Sequence, residues 1–299
     1  MSKETYGSLA VITSAAIVSL FPIVVSKGVQ VFPPLTFAGL SLLITFVTTL
    51  VYSAVSGVLP ELKKTAAYYP IAMNAVCAII VPYSLFFIGA QFTSSINTAA
   101  LLLSEIIFTV LLTPWFGENT SASKLFGAGG VLAGAWLLTW HGQNSWQFGD
   151  LLIILSTVTF PFGNFYAKRA LRLVHPGILL TVRAGIGCVV LLLLAVSVEH
   201  WFEIATLRTY WWFIVLNGAV ILGIGKIIWQ LGFQRLDISK AVILLKTEPL
   251  ISILILVFFL HEPITRLQLL GIGIMAIGVV VTWRRQSINP TLTRYGSGL

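Results

Sequence analysis

Ten apolar segments, each long enough to cross a bilayer and none with the alternation of a half-buried strand, govern what this chain can fold into. They fall at about residues 6–26, 35–56, 68–90, 95–115, 124–140, 149–167, 177–198, 210–231, 239–260 and 267–283, where a spanning helix takes about 20 predominantly apolar residues. In lipid the backbone has to satisfy its own hydrogen bonds, so such runs are helices rather than barrel strands. Turn residues and charges punctuate them: Pro33-Pro34, Gly57 to Pro60, Gly117 to Ser123, His141 to Ser145, His175-Pro176, Asp237 and Glu262-Pro263. A charged content of 9% in 299 residues excludes a soluble globule, which carries about 25%. The expectation is an all-α integral membrane protein of ten transmembrane helices, with only short connections between them.

A formal net charge of +8 raises nucleic acid as a partner in a soluble chain, but here it has a topological explanation. With the N-terminus inside, the inner segments hold Lys3, Lys63, Lys64, Lys124, Lys168, Arg169, Arg172, Arg235, Lys240, Arg284, Arg285 and Arg294, and the outer loops hold Lys27, Arg208 and Arg266. Twelve against three places both termini in the cytoplasm by the positive-inside rule. The first segment is too long for a signal-peptide core and lacks a small-x-small cleavage site, so it is read as retained. Cys77 and Cys188 both lie in apolar runs and act as small hydrophobes. No Cys/His spacing points to zinc, no phosphate loop follows a strand, and no cofactor is expected.

Shifted by 143 residues, the sequence overlays itself: Asn74 on Asn217, Gly89 on Gly232, Gln91 on Gln234, Leu101-Leu102 on Leu244-Leu245, Glu105 on Glu248, and Thr139-Trp140 on Thr282-Trp283. Apolar matches are cheap, but Asn, Gln, Glu and Trp in one register point to duplication. The units are residues 1–144 and 145–285, followed by a polar tail at 286–299. Five helices per unit is an odd number, so the second copy enters from the opposite side. Two inverted five-helix repeats with a substrate site between them are the architecture of many secondary transporters.

Residues Gln91-Phe92-Thr93-Ser94-Ser95 running into Asn97-Thr98-Ala99-Ala100-Leu101, then Glu105 and Gly117-Glu118, resemble the fourth-helix signature of the EamA family in the drug/metabolite transporter superfamily. The counterpart in the second half, Ser239 to Leu245 with Glu248-Pro249 and His261-Glu262-Pro263, is the closer match, as is the glycine-bearing helix from Leu270 to Gly278. The resemblance implies ten helices, cytoplasmic termini and transport of a metabolite such as an amino acid. Two features depart from the family's habit. Phe21-Pro22 occupies the first helix where tryptophan is common, and Leu40 stands in register with Arg183, so only the second repeat keeps the second-helix arginine.

Polar groups inside spanning segments are costly and face a bundle interior or a wet cavity. Substrate-binding candidates are Asn74, Tyr83, Asn97, Asn164, Arg183, Asn217, Lys226 and Lys246, and Glu105 and Glu248 are candidates for coupling. The asparagines carry donors and acceptors that lipid cannot satisfy. Arg183, Lys226 and Lys246 belong to the second repeat and one side, where they either snorkel to the interface or form a basic vestibule. Asn74 and Tyr83 lie nine residues apart, as do Asn217 and Lys226. On straight helices each pair points in opposite directions, unless a kink near Pro82 or near Gly223 and Gly225 turns both inward. Serines and threonines of the fourth helix are expected to bond neighbouring helices, and Gly130 and Gly134 to admit one closely.

The expected function is a secondary transporter of a small polar metabolite, an amino acid or related zwitterion, working by alternating access as a monomer or homodimer in the bacterial plasma membrane. Its partners are that solute and the lipid bilayer. Anionic metabolites such as organophosphates or carboxylates are the second class, and a membrane-embedded enzyme or lipid-handling protein is the alternative outside transport. Glu105 and Glu248 raise proton coupling as a possibility that a facilitator would not need.

Overall fold

A computed structural model describes residues 3–116, 122–139, 147–199, 204–236, 238–245 and 247–284, and these are helical with short connections. Seven continuous helices are long and apolar enough to span: α1 Glu4–Gly28, α2 Pro34–Val55, α3 Thr65–Gln91, α4 Ser95–Leu112, α6 Phe148–Ala170, α7 Pro176–Val198 and α8 Ala205–Phe233. Between and after them come α5 Ala122–Thr139, α9 in two described pieces, Ile238–Leu245 and Thr247–Phe258, and α10 Arg266–Arg284. The ten-helix membrane fold expected from the apolar runs is thus the fold observed. One boundary moves: α8 begins earlier than its apolar run, so Arg208 occupies its first turns with Tyr210-Trp211-Trp212 close behind. Polar-tipped and aromatic residues sit comfortably at a membrane interface, which lets the helix extend past the hydropathy signal.

Side chains sort as a bilayer demands. Val55, Phe126, Leu193 and Phe259 point outward from the bundle, while Phe32, Phe37, Phe86 and Phe87 are fully buried. Those four, with Phe21 and Tyr83, form an aromatic cluster in which Phe21 stacks on Phe86 at 5.1 Å and Phe37 meets Phe87 edge-on at 5.6 Å.

The repeats are interleaved. Helices of the first unit pack on helices of the second: α2 on α7, α5 on α10, α4 on α9, α3 on α6, and α1 on α8. Exchanging the repeats returns the same set of pairs, as an inverted duplication requires. The α5–α10 contact is backbone to backbone. Gly130 faces Gly278, and Gly134 lies against Gly271 and Met275, so the small residues of α5 serve packing inside the chain. Ends are tied across the same interface. Glu199, after α7, accepts from the backbone N–H groups of Leu35 and Thr36 (2.6 and 2.8 Å) and from the Thr36 hydroxyl, satisfying orphan donors at the start of α2. On the side that carries the N-terminus, Glu61 accepts from the backbone N–H of His175 (2.5 Å) and from Lys64 (2.8 Å). These two donors, Lys64 foremost, hold its carboxyl below the usual carboxylate range. On the opposite side Lys27 pairs with Glu262.

Because a Cβ at Gly134 meets the α10 backbone, Gly134→Leu has to push two helices apart. Overpacking of this kind costs about 1–3 kcal/mol. The variant should melt earlier than wild type in detergent micelles, whereas Leu132→Ala, at an outward-facing position, should melt with wild type.

Candidate functional site

Five of the spanning helices are irregular within their length, and in lipid such irregularity is tolerated only where protein or a cavity can serve the backbone. The first helix of each repeat is broken at a Phe-Pro dipeptide: α1 before Phe21-Pro22 and α6 before Phe160-Pro161. Proline has no N–H to donate and crowds the preceding turn. The third helix of each repeat is π-wound, at Val76–Ile80 in α3 and Leu216–Gly225 in α8. In α4 a tighter turn, Leu101–Ser104, separates two α-helical pieces.

These irregularities surround one cavity of about 80 Å3 between the repeats. Since a water needs about 10–15 Å3 measured this way, the cavity holds a handful of waters or one small solute. Its lining includes three pairs related by the 143-residue register: Tyr83 with Lys226, Leu102 with Leu245, and Glu105 with Glu248. The cavity therefore straddles the axis that exchanges the two repeats. Phe21 and Phe160, the residues at the two helix breaks, also line it.

The π turn in α3 resolves the facing problem for one of the two nine-residue pairs, Asn74 and Tyr83. On an unbroken α-helix Asn74 and Tyr83 differ by about 180°. A π turn takes up an extra residue and removes about 100° of that rotation, and both side chains reach the cavity. The break precedes Pro82 rather than coinciding with it.

Arg183 is the best-defined polar group in the lining. It is 8% exposed, and its Nη1 donates to Asn74 Oδ1 at 3.2 Å while Asn74 Nδ2 donates to the Gly163 carbonyl at 2.8 Å. One asparagine thus joins α3, α6 and α7 and fixes one edge of the guanidinium fork, leaving the rest to the cavity. No carboxylate among the described residues lies within ion-pair distance of it. Asn164 Nδ2 donates to Glu105 Oε1 at 3.3 Å, and Lys226 and Glu248 are each engaged with other groups.

The structure gathers Asn74, Tyr83, Glu105, Asn164, Arg183, Lys226 and Glu248 around this cavity. Asn97 and Asn217 are elsewhere. Asn97 donates to Asp150 Oδ1 at 3.1 Å and accepts from Gln268 Nε2 at 3.3 Å, in a buried network joining α4, α6 and α10. The tight turn at Leu101–Ser104 dephases it from Glu105, which a uniform helical wheel puts on the same stripe. Asn217 donates to Ser41 Oγ at 3.0 Å, and its Oδ1 has no partner among the described residues. Its neighbour in the repeat exchange is Leu40, where the other half has Arg183. Lys246 lies outside the described residues, as do Asp237, His141 and His200. Two lining features escaped sequence reasoning. The repeated Phe-Pro, 139 residues apart, was readable once the first helices were compared. Gln230, one turn after Lys226, has no polar counterpart in the other repeat to mark it in the sequence, yet it is 1% exposed and lines the cavity. Among the described residues no group of three His, Cys, Asp or Glu is arranged to hold a metal.

Residues 5–140 and 147–284 each match the EamA-like transporter family. The chain belongs to the EamA-like transporter family. Both copies fall on the five-helix units, so the inverted duplication is a pair of EamA repeats. Among relatives, the chain is 24% identical over 250 residues to the uncharacterized transporter YvbV of Bacillus subtilis (83% of this chain, 81% of that protein). It is 24% identical over 268 residues to the uncharacterized transporter YoaV of the same organism (84% and 88%), and 25% identical over 200 residues to an uncharacterized transporter of Archaeoglobus fulgidus (66% and 71%). A crystal structure of another protein superposes with a TM-score of 0.73 over 96% of this chain and 100% of its own, at 16% identity, which shows the shared fold alone. The chain is accordingly a multi-pass membrane protein of a transporter family.

The unequal asparagines give a direct comparison. Asn74→Leu strips a partner from Arg183 and another from the Gly163 carbonyl, and hydrogen bonds to charged groups are worth about 1.5–3 kcal/mol. Asn217→Leu removes one neutral bond and also one orphaned acceptor. Thermal unfolding in detergent should show a clear loss for Asn74→Leu and a smaller loss, or none, for Asn217→Leu.

Proposed function

We propose that this EamA-family protein is a secondary transporter that moves a small zwitterionic metabolite of the amino-acid class across the bacterial plasma membrane. The observation that carries this reading is the make-up of one small cavity, where buried Arg183 and half-buried Lys226 share the lining with Glu105 and Glu248. Among the described lining residues, two cationic and two acidic side chains leave no formal excess of either sign. Charged groups out of water are stable only when balanced, so a solute bearing both signs leaves that balance intact, whereas an organophosphate would upset it.

Alternating access follows from the inverted repeat. Each unit can take the conformation its partner holds in the other state, while the cavity stays on the exchange axis. The helix breaks at Phe21-Pro22 and Phe160-Pro161 and the two π turns supply the points about which segments rotate. In this reading the units 1–144 and 145–285 are the moving halves, and the excess of basic residues on the side carrying the termini makes that side cytoplasmic. Glu105 and Glu248 are equivalent under the exchange, so either can carry a proton in one state and release it in the other.

Two experiments test this. In proteoliposomes, uptake of radiolabelled amino acids should saturate and be competed by unlabelled solute. Arg183→Gln should raise the half-saturation concentration by about tenfold, the equivalent of about 1.4 kcal/mol; preferential uptake of phosphorylated or dicarboxylic solutes would assign the anionic class instead. An imposed pH gradient should drive accumulation in wild type and fail to do so in the Glu105→Gln, Glu248→Gln double variant. Wild-type accumulation indifferent to the gradient would make both carboxylates structural.

A further inference from the structure

A buried side-chain amide with nothing to bond is an expensive thing to keep, because its desolvation is uncompensated. Gln230 is such a group. It is 1% exposed, its Oε1 has no hydrogen-bond partner among the described residues, and it borders the same cavity as Arg183. Its residue is not needed to build the helix there. In the exchange of repeats position 230 corresponds to Phe87, a fully buried ring in the aromatic cluster with Phe21, Phe37 and Phe86. An apolar side chain therefore packs at the equivalent place in the first unit, while the second unit places an unsatisfied amide against the cavity.

Several other polar groups around it are already taken. Asn74 is bonded at both ends, Asn164 donates to Glu105, and Glu105, Lys226 and Glu248 are engaged. Arg183 and Gln230 are two lining groups whose bonding capacity the described residues leave largely unused: a fork of donors tethered at one edge by Asn74, and an amide with an open acceptor. Both border the same space of about 80 Å3.

We infer that Gln230 is a specificity-determining residue, whose amide oxygen reads a hydrogen-bond donor on the solute while the Arg183 guanidinium holds the solute's carboxylate. The inference rests on the transport reading above and sharpens it. It names a carboxylate carrying an adjacent amino or hydroxyl group as the preferred solute, and an unsubstituted carboxylic acid of the same chain as the rejected one. The chemistry of rejection is an unpaired acceptor: a site built to bond a donor discriminates against the analogue that lacks it far more strongly than a hydrophobic pocket discriminates by shape.

The test uses the full-length protein in detergent, titrated calorimetrically with proteinogenic amino acids one at a time, with their 2-hydroxy counterparts, and with the unsubstituted acids of the same chain. Wild type should bind an amino acid or its hydroxy counterpart at least about tenfold more tightly than the unsubstituted acid. Gln230→Met, close in volume and without the amide, should bring the donor-bearing and donor-free ligands to about equal affinity. The ligand-free Gln230→Met protein should melt at or above the wild-type temperature, because it loses an orphaned polar group rather than a bond. A residue serving only the fold gives the opposite pattern, a lower melting temperature with discrimination intact, and either half of that result overturns the inference. Wild type that binds amino acids yet ignores the donor overturns it while leaving the transport reading in place. Wild type that binds none of the three classes removes both.

Discussion

Backbone hydrogen bonding in a medium without water is the constraint from which the rest of this structure follows. Continuous helices meet it alone; broken ones need outside help. Here the help comes from the opposite repeat. Ser14 Oγ donates to the Gly225 carbonyl at 2.9 Å and Thr45 Oγ1 to that of Gly218 at 2.9 Å, both within the π-wound stretch of α8. Ser252 serves the Ser19 carbonyl at the break in α1, and Asn74 serves Gly163 a turn beyond the break in α6. The irregularities in α1, α6 and α8 are thereby each paired with a side chain from the other unit. The interleaving of helices and the existence of the cavity are one fact seen twice.

That arrangement explains why the polar inventory of the membrane interior divides so cleanly. Most serines and threonines are spent on carbonyls or on one another, as in Ser104 with Thr157 at 3.1 Å and Ser53 with Thr181 at 3.3 Å. Asn97, Asp150 and Gln268 close a network of their own. What remains for the cavity is a short set of groups, and their chemistry is unequal across the exchange axis. Arginine faces leucine, glutamine faces phenylalanine, and lysine faces tyrosine. Shape is conserved between the halves, and charge is not.

The spans were legible because hydropathy and backbone satisfaction are local properties, and the duplication was legible because Asn74, Glu105 and their counterparts keep one register. Asn97 shows where a helical wheel fails. It shares a calculated stripe with Glu105, but the tight turn at Leu101–Ser104 changes the phase between them, and its partners Asp150 and Gln268 are about 50 and 170 residues away in sequence. The π turns carry no residue signature beyond the glycines at 218, 223 and 225, so the joint approach of Asn74 and Tyr83 to the cavity was posed by the sequence and answered only by the fold. Gln230 was hidden for a similar reason, since its burial depends on what packs over the end of α8.

The leucine at position 40 has a wider meaning. A protein assembled from two separate copies of one unit, inserted in opposite directions, has to present identical groups from both sides. Two copies of the second unit would crowd a pair of guanidinium groups into a space of about 80 Å3, where their repulsion is poorly screened. Two copies of the first would offer none. A single cation of this kind beside the axis is available only to a molecule whose halves are covalently joined and free to drift apart in sequence. Fusion, on this view, is what turned a symmetric vestibule into a handed one, able to hold an asymmetric solute in one orientation.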